Sequence, residues 1–461
     1  MEKHFFRRSM VVLLTTCMIG TALSACGREK TPDNEYTFTI NTTDDETTIG
    51  NEESSKATDD ISDVALVCKE KACNEDLSEN EIVFTVLLKR NGILETVSDY
   101  NVTSINKEKE TDDSFTYTAT FRIGGKEMTT PELVIPKMVP IYAGYNSNDN
   151  TLYLAATEQE ITDTGADCNY GDVSTYLYAL WRNKAEKVKT INILSEIKPT
   201  NCFGWFLNFE NLTQIKNIEN FNTKNVYDMG VMFGSCCSLT SLDLSHFDTG
   251  SVTSMSDMFR DCTSLASLDL SNFNTSKVES MDGMFKNCSA LVSLNISGFD
   301  TSNVGYMKSM FCGCNALSSI DVTHFDTSKT LSMESMFCDC SSLKTLDVSN
   351  FTTGLVSCME SMFASCKLLQ ELDISNFDTS KVENMDTLFP YCENLKVLNL
   401  GEFNTSSLDV LPSFSGCNQN LKIYTTSEET KKKLLEIDTD KRPADEDIIV
   451  GSAKREWEAT P

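Results

Sequence analysis

Along the second half of the chain, apolar residues return at an interval of 26. Leu242, Leu268, Leu294, Ile320, Leu346, Leu372 and Leu398 hold that spacing, as do Phe221, Phe247, Phe273, Phe299, Phe325, Phe351, Phe377 and Phe403. A second phenylalanine column runs through Phe233, Phe259, Phe285, Phe311, Phe337, Phe363 and Phe389, with Phe414 one residue early. Three residues after each of these stands a cysteine: Cys236, Cys262, Cys288, Cys314, Cys340, Cys366, Cys392 and Cys417. So long a register is not chance. A period in the twenties marks a solenoid whose units bury their apolar faces only against one another.

Inside one unit the apolar spacing changes. Leu239-x-x-Leu242-x-Leu244-x-x-Phe247 has the frame of a short strand and its turn, and Asp248-Thr249 bends the chain. Val252, Met255, Met258 and Phe259 then follow at i, i+3, i+6 and i+7, which predicts one face of a short helix. Ser276-x-x-Glu279 and Ser380-x-x-Glu383 read as capping boxes for it. Earlier in the chain, the strict alternation from Phe115 to Ile123 predicts a half-buried strand, and Gly124-Gly125 a hairpin turn. The expected fold is a β-rich α/β solenoid. It is a leucine-rich-repeat array of 26-residue coils with a parallel sheet and short helical turns, preceded by a small antiparallel β-sandwich-like domain over 61–140, immunoglobulin-like in type.

Charge and composition narrow the function. A formal net charge of −29 over 461 residues argues against nucleic acid, whose phosphates need clustered Lys and Arg. Only His4, His246 and His324 are present, so little acid–base or zinc chemistry is expected. At the amino terminus a basic stretch (Lys3, Arg7, Arg8) precedes a short apolar run over 9–22, the pattern of a signal peptide rather than a spanning helix. Leu23-Ser24-Ala25-Cys26 resembles the bacterial lipobox, so that residues 1–26 read as a lipoprotein signal peptide with its lipobox cysteine, which implies cleavage before Cys26 and lipidation of that cysteine. Residues 27–60 are Thr-, Asp-, Glu- and Asn-rich and predict a disordered acidic tether.

The full unit LxxLDLSxFDTSxVxxMxxMFxxC resembles the repeat of BspA-like leucine-rich-repeat bacterial surface proteins, in the Met-Phe-Cys variety of mycoplasmal-type lipoproteins. That resemblance covers about 205–417 and implies a surface-anchored protein that adheres to host or bacterial surface proteins or glycans. It also implies a β-rich amino-terminal cap over 141–204, carrying Leu180-Trp181 and Val188–Ile191, with Trp205-Phe206 where it meets the first, irregular coil. A carboxy-terminal cap is expected over 418–450, with a strand at 421–424, a helix after Ser427 and a strand at 448–450, then a flexible tail over 451–461.

The candidate site residues form columns. A line of thiols does not converge as zinc needs, so the cysteine ladder is read as small buried hydrophobes, and the Met columns beside it as core. His246 and His324, three coils apart, are read as surface variants of a slot filled elsewhere by Asn272, Asn350 and Asn376. Asp243, Asp269, Asn295, Asp321, Asp347, Asp373 and Asn399 lie between the buried residues of each strand and point outward, flanked by Ser and Thr. Either this stripe binds Ca²⁺ weakly, or it is a solvated face whose side chains bond along the ladder; in both readings it is the expected contact surface. A further column, Asp248, Asn274, Asp300, Asp326, Asp378 and Asn404, exchanges Asp for Asn freely, which suits turn capping. No phosphate loop, nucleophile elbow or metalloprotease motif occurs, and neither catalytic metal nor cofactor is expected. The functional expectation is a non-enzymatic adhesion protein of the cell envelope. A structural envelope spacer is the alternative, and a hydrolase with a site in 61–200 a distant one. Cys68 with Cys73, and Cys312 with Cys338, are the pairs placed for disulfides.

Overall fold

The computed structural model describes residues 139–451, apart from 174–180, 405–411 and 438–441, together with eight strands that precede them. The chain divides into two compact units, Met1–Met138 and Val139–Pro461.

The first unit holds two antiparallel sheets. One contains β1 (Glu35–Asn41), β2 (Asp60–Lys69), β3 (Ile82–Arg90) and β4 (Ile93–Val97), paired in that order. The other contains β5 (Asn101–Glu110), β6 (Ser114–Ile123), β7 (Lys126–Thr129) and β8 (Leu133–Pro136); β6 pairs with all three others. Strand β6 is the alternating segment that predicts it. Strand β1 lies inside the stretch expected to be a tether, where Tyr36-Thr-Phe38-Thr-Ile40 alternates apolar and polar residues. The face-to-face packing that would make a sandwich rests on side chains outside the described residues, as do the signal segment, Cys26 and the Cys68–Cys73 pairing.

The second unit opens with a cap sheet of β9 (Tyr142–Asn146), β10 (Thr151–Ala155), β11 (Cys168–Asp172), β12 (Thr190–Ile193) and β13 (Gln214–Lys216), in the order β11-β9-β10-β12-β13. Its first three strands pair antiparallel, and then β10, β12 and β13 run parallel, so this sheet converts a hairpin into the stacked ladder of the coils. A short helix, α1 (Glu158–Asp163), is opened by a capping box between Thr157 and Glu160 and buries Ile161 beside Gly144, where a Cβ would collide with it. Trp181 and Trp205 close this end, fully buried and edge-to-face, with Trp181 Nε1 donating to the Trp205 carbonyl at 3.0 Å.

Beyond it runs a parallel β-solenoid of about ten turns. One ladder follows the expected strand: β14 (Ser267–Asp269) pairs in register with β15 (Ser293–Asn295), and β16 (Glu371–Asp373) with β17 (Val397–Gly401). The carboxy-terminal cap extends that ladder with β18 (Lys422–Thr425) and β19 (Ile448–Val450), between which α2 (Glu428–Leu434) starts at Ser427, whose hydroxyl accepts from the Thr430 amide.

The other side of each coil corrects the expected helical turn. Among the described residues, no α-helix lies in the coils. The segment is instead a second parallel ladder, bridged from Asn201 through Asp228, Ser254, Ser280, Tyr306, Ser332 and Cys358 to Asn384. Past each bridge, amides alternate in destination. Those of Met255, Asp257, Phe259 and Asp261 donate to carbonyls of the next coil, at Ser280, Asp282, Met284 and Lys286, over 2.7–3.0 Å. Those of Met258, Arg260 and Cys262 turn back to Met255, Asp257 and Phe259. Each turn needs a left-handed residue. Asp257, Gly283, Ser309 and Ser335 fill one such column, and Asp261, Asn287, Gly313 and Asp339 the other, all with φ between +55° and +76°. The proposed capping boxes therefore cap nothing; Ser276 Oγ instead bonds Asn274 Oδ1 at 2.7 Å.

Between the ladders lies a dry core. In one coil Leu265, Leu268, Leu270, Phe273, Val278, Met281, Met284, Phe285 and Cys288 are all buried. The second phenylalanine column stacks from Phe233 through to Phe414 with ring centroids 5.5–6.0 Å apart. The cysteine ladder is buried as expected from Cys236 to Cys392, with Cys417 half-buried, and it does more than fill space. Cys262, Cys288, Cys314, Cys340, Cys366 and Cys392 each donate Sγ–H to the phenylalanine carbonyl of the preceding coil at 3.1–3.2 Å. Burial pushes these thiols up, Cys262 and Cys366 to about 12, with the Cys417 thiol the larger cause at Cys392, so they stay protonated and remain donors.

Two polar columns tie coil to coil. Buried Thr275 Oγ1 donates to the Asp300 carbonyl at 2.8 Å and accepts from the Asp300 amide at 2.7 Å. Thr223, Thr327 and Thr379 make the same two-way clasp on Asp248, Thr352 and Asn404. The second column runs through the slot of the histidines, where His324 is exposed, as expected of a surface variant, and His246 is half-buried. In that slot Asn272, Asn350 and Asn376 donate Nδ2–H to two or three carbonyls of the preceding coil, and His324 Nε2 lies 3.0 Å from the Ile296 carbonyl. His246 Nε2 is buried without a partner. His246→Asn is therefore expected to raise stability by about 1 kcal/mol, read as a higher urea midpoint at unchanged slope. A lower midpoint would show that the imidazole contributes more by packing on Phe247, 5.0 Å away, than the lost hydrogen bond costs.

Candidate binding surface

The strand ladder turns one row of side chains outward in each coil. Asp243, Asp269, Asn295, Asp321 and Asp347 are exposed and Asp373 is half-buried. Asn399 departs from the expected face: it is buried, at 5% exposure, on the strand β17 that pairs with cap strand β18. The open stripe thus ends at Asp373. Ser267, Ser271, Ser293, Ser297, Ser319 and Thr323 stand exposed beside it.

These carboxylates are not idle. Asp243 Oδ1 accepts the Ser245 amide at 3.0 Å, and Asp269, Asp321, Asp347 and Asp373 accept from the residue two ahead at 2.9–3.0 Å. Each side chain closes a small ring that ends its own strand. Asn295 makes the same turn with the Ser297 amide at 3.2 Å, so the turn requires an oxygen and not a charge. Donation decides the charge state. The Ser245 and Ser271 amides hold Asp243 and Asp269 below the usual carboxylate range, and the Thr323 and Ser349 hydroxyls do so for Asp321 and Asp347. The repulsion along the row that would favour partial protonation loses to these donors, and Asp243, Asp269, Asp321 and Asp347 are ionised at neutral pH. Among the described residues no three His, Cys, Asp or Glu side chains converge as a metal site. The turn column behaves likewise: Asp248, Asn274, Asp300, Asp326 and Asp378 accept the amide two residues ahead at 2.9–3.1 Å.

The opposite ladder carries a carboxyl of the other kind. Asp282, accepting the Lys308 amide at 2.7 Å, is pushed up by burial to about 6, and Asp257 and Glu334 add to the effect. A raised carboxyl favours the fold when protonated. Its contribution is complete below pH 4 and is lost as pH rises through about 6. Asp243, Asp269, Asp321 and Asp347 run oppositely: their contribution is complete above pH 4 and lost as pH falls through their lowered values. The urea midpoint is therefore expected to rise from pH 7 to pH 5 and fall below pH 4. Asp282→Asn should flatten the upper limb alone; a limb that persists in this variant would assign it elsewhere.

Sequence reasoning missed the threonine clasp and the thiol donors, although Thr223, Thr249, Thr275, Thr301, Thr327, Thr353 and Thr379 keep the 26-residue interval as strictly as the phenylalanines. No helix among the described residues is long and apolar enough to cross a membrane. Residues 200–320 and 307–426 each match the family model described as "Mycoplasma protein of unknown function, DUF285". Both matches lie along the coil array, the second reaching just past β18. No curated protein matches the chain.

Proposed function

We propose that this chain is a non-enzymatic, lipid-anchored surface protein that binds a protein or glycan partner with the strand face of its solenoid. In this reading it is a BspA-like lipoprotein, held in the cell envelope by acyl chains on Cys26. The observation that supports it is the exposed row from Asp243 to Asp347, whose four aspartates are ionised, flanked by hydroxyls and set at the regular step of the coils. Solenoids present their ligands with extended faces of this kind. An ionised stripe of regular pitch suits cationic or polyhydroxylated partners.

The test exploits Asn295. Asn keeps the turn and removes the charge, so replacing Asp243, Asp269, Asp321, Asp347 and Asp373 by Asn should leave the fold intact. Attachment of cells carrying this variant to host matrix or partner bacteria is expected to fall at least about tenfold. Unchanged attachment, with the variant at normal surface abundance, would sink the assignment to this face. If deletion of 240–417 also left attachment unchanged, the adhesive role of the solenoid would go with it, and an envelope spacer would stand in its place.

A further inference from the structure

Two cysteines outside the buried ladder occupy one register position on successive coils. Cys312 and Cys338 each stand two residues before a ladder cysteine, in a column that is otherwise Gly234, Arg260, Lys286, Ala364 and Pro390. Both thiols are half-buried and free and lie close enough to influence each other's charge, while Cys338 Sγ–H donates to Asp339 Oδ2 at 3.8 Å. The backbone beneath them is tightly held. The Gly313 amide donates to the Cys338 carbonyl at 2.7 Å, and the Cys312 and Cys338 amides close back on Ser309 and Ser335 at 3.1 Å. Left-handed residues follow both cysteines, Gly313 at φ +76° and Asp339 at φ +56°. The coil step therefore fixes the two Cα atoms at the spacing of neighbouring strands, about 4.8 Å, inside the window a disulfide spans.

We propose that Cys312 and Cys338 form a thiol–disulfide couple that takes low-molecular-weight disulfides as its substrate and locks one coil to the next. The nucleophile is Cys312. The neighbouring Cys338 thiol and the Lys286 ammonium favour its charged form, whereas burial and Asp339 oppose it. Cys338, whose Sγ–H donates to the Asp339 carboxylate at 3.8 Å, holds its own proton more firmly. In the first step the Cys312 thiolate attacks one sulfur of the disulfide RSSR, breaking the S–S bond and releasing RS⁻, which takes up a proton as RSH. In the second, Cys338 loses its proton and attacks Cys312 Sγ, expelling the remaining RS⁻, which leaves as a second RSH. Two protein thiols are oxidised to one disulfide and one RSSR is reduced to two RSH. The product joins two coils in the middle of an array whose units otherwise hold only by neighbour contacts, so it resists local opening there.

The experiment treats the reduced full-length protein with oxidised glutathione, blocks residual thiols in acid, and maps the cross-links by non-reducing digestion and mass spectrometry. The expected product joins Cys312 to Cys338 with no glutathione retained on either, and slows amide exchange at Gly313 and Asp339 by about tenfold or more. Cys338→Ser should instead trap glutathione on Cys312, while Cys312→Ser should react far more slowly at Cys338. A stable glutathione adduct on wild-type Cys312, or oxidation of half-buried Cys168, Cys237 and Cys358 at the same rate with no internal cross-link, would overturn the proposal. Far-UV circular dichroism of each variant separates misfolding from lost exchange chemistry.

Discussion

Phe285→Ala is expected to lower the unfolding free energy by about 3–5 kcal/mol, the range for emptying a buried aromatic site that cannot collapse. Collapse is denied here by the geometry of stacking. Phe285 lies between Phe259 and Phe311 at centroid distances of 5.8 and 5.6 Å, nearly parallel to both, and the coils above and below are fixed by their own ladders. The deletion also falls in mid-array, where each coil is supported only by its neighbours, so it weakens two interfaces at once. Phe414 ends the stack with one neighbour, Phe389, at 5.5 Å. Phe414→Ala should cost roughly half as much, since one ring interface is lost rather than two. Urea unfolding followed by fluorescence of the buried Trp181 and Trp205, and in parallel by circular dichroism, should show two transitions for Phe285→Ala, because the central defect uncouples the halves. Equal losses at the two positions, with a single transition in each, would mean that the stack fills volume without coupling the coils.

The array was legible because its cause is periodic. A residue that must face the core in every coil recurs at the coil length, so the Leu, Phe and Cys columns disclosed both the period and the core positions. The cap strands were legible for a related reason, as the apolar runs at 421–424 and 448–450 stand where the repeat stops. The second side of the coil was not legible from the same evidence. Met255, Met258, Phe259 and Cys262 point inward with spacings of three and four, and a helix and a run of tight turns give the same spacing. What separates them is the residues between. Asp257, Gly283 and Asp261, Asn287, Gly313 tolerate left-handed backbone, and a helix has no use for such columns. Val231, Thr387 and Tyr391 adopt the same conformation without that tolerance, which blurs the signal at the array's ends.

The outward face shows the opposite balance. Alternation placed Asp243 to Asp373 on the surface correctly, but charge counting alone left their protonation open. The deciding groups are the amides and hydroxyls two residues ahead, and these matter only once the turn is folded. Asn399 was misplaced for a tertiary reason: cap strand β18 pairs with the strand that carries it, and the repeat pattern contains no notice of the cap. The stripe therefore has a defined end, and a partner that reads it meets four coils of carboxylate and one of amide before the half-buried Asp373.

The threonine column carries the other large effect. Thr275→Val keeps the shape of the side chain and removes its hydroxyl, leaving both the amide and the carbonyl of Asp300 without the partner they share. Each unpaired group costs about 1–3 kcal/mol, so the substitution is expected to destabilise by about 2–6 kcal/mol despite the near-identical volume. Thr275→Ser retains the hydroxyl and loses one buried methyl, for about 1 kcal/mol. The order wild type, Ser, Val in urea midpoint, with accelerated exchange of the Asp300 amide in Val alone, is the signature of the clasp. The reverse order, Val above Ser, would show that the methyl matters and the hydrogen bonds do not. The size of the effect follows from where the clasp sits. The corner at Asp248-Thr249 and its equivalents lies between the two ladders, where no strand pairing joins successive coils. One buried hydroxyl in each clasping coil does there what a pair of backbone groups does along a strand.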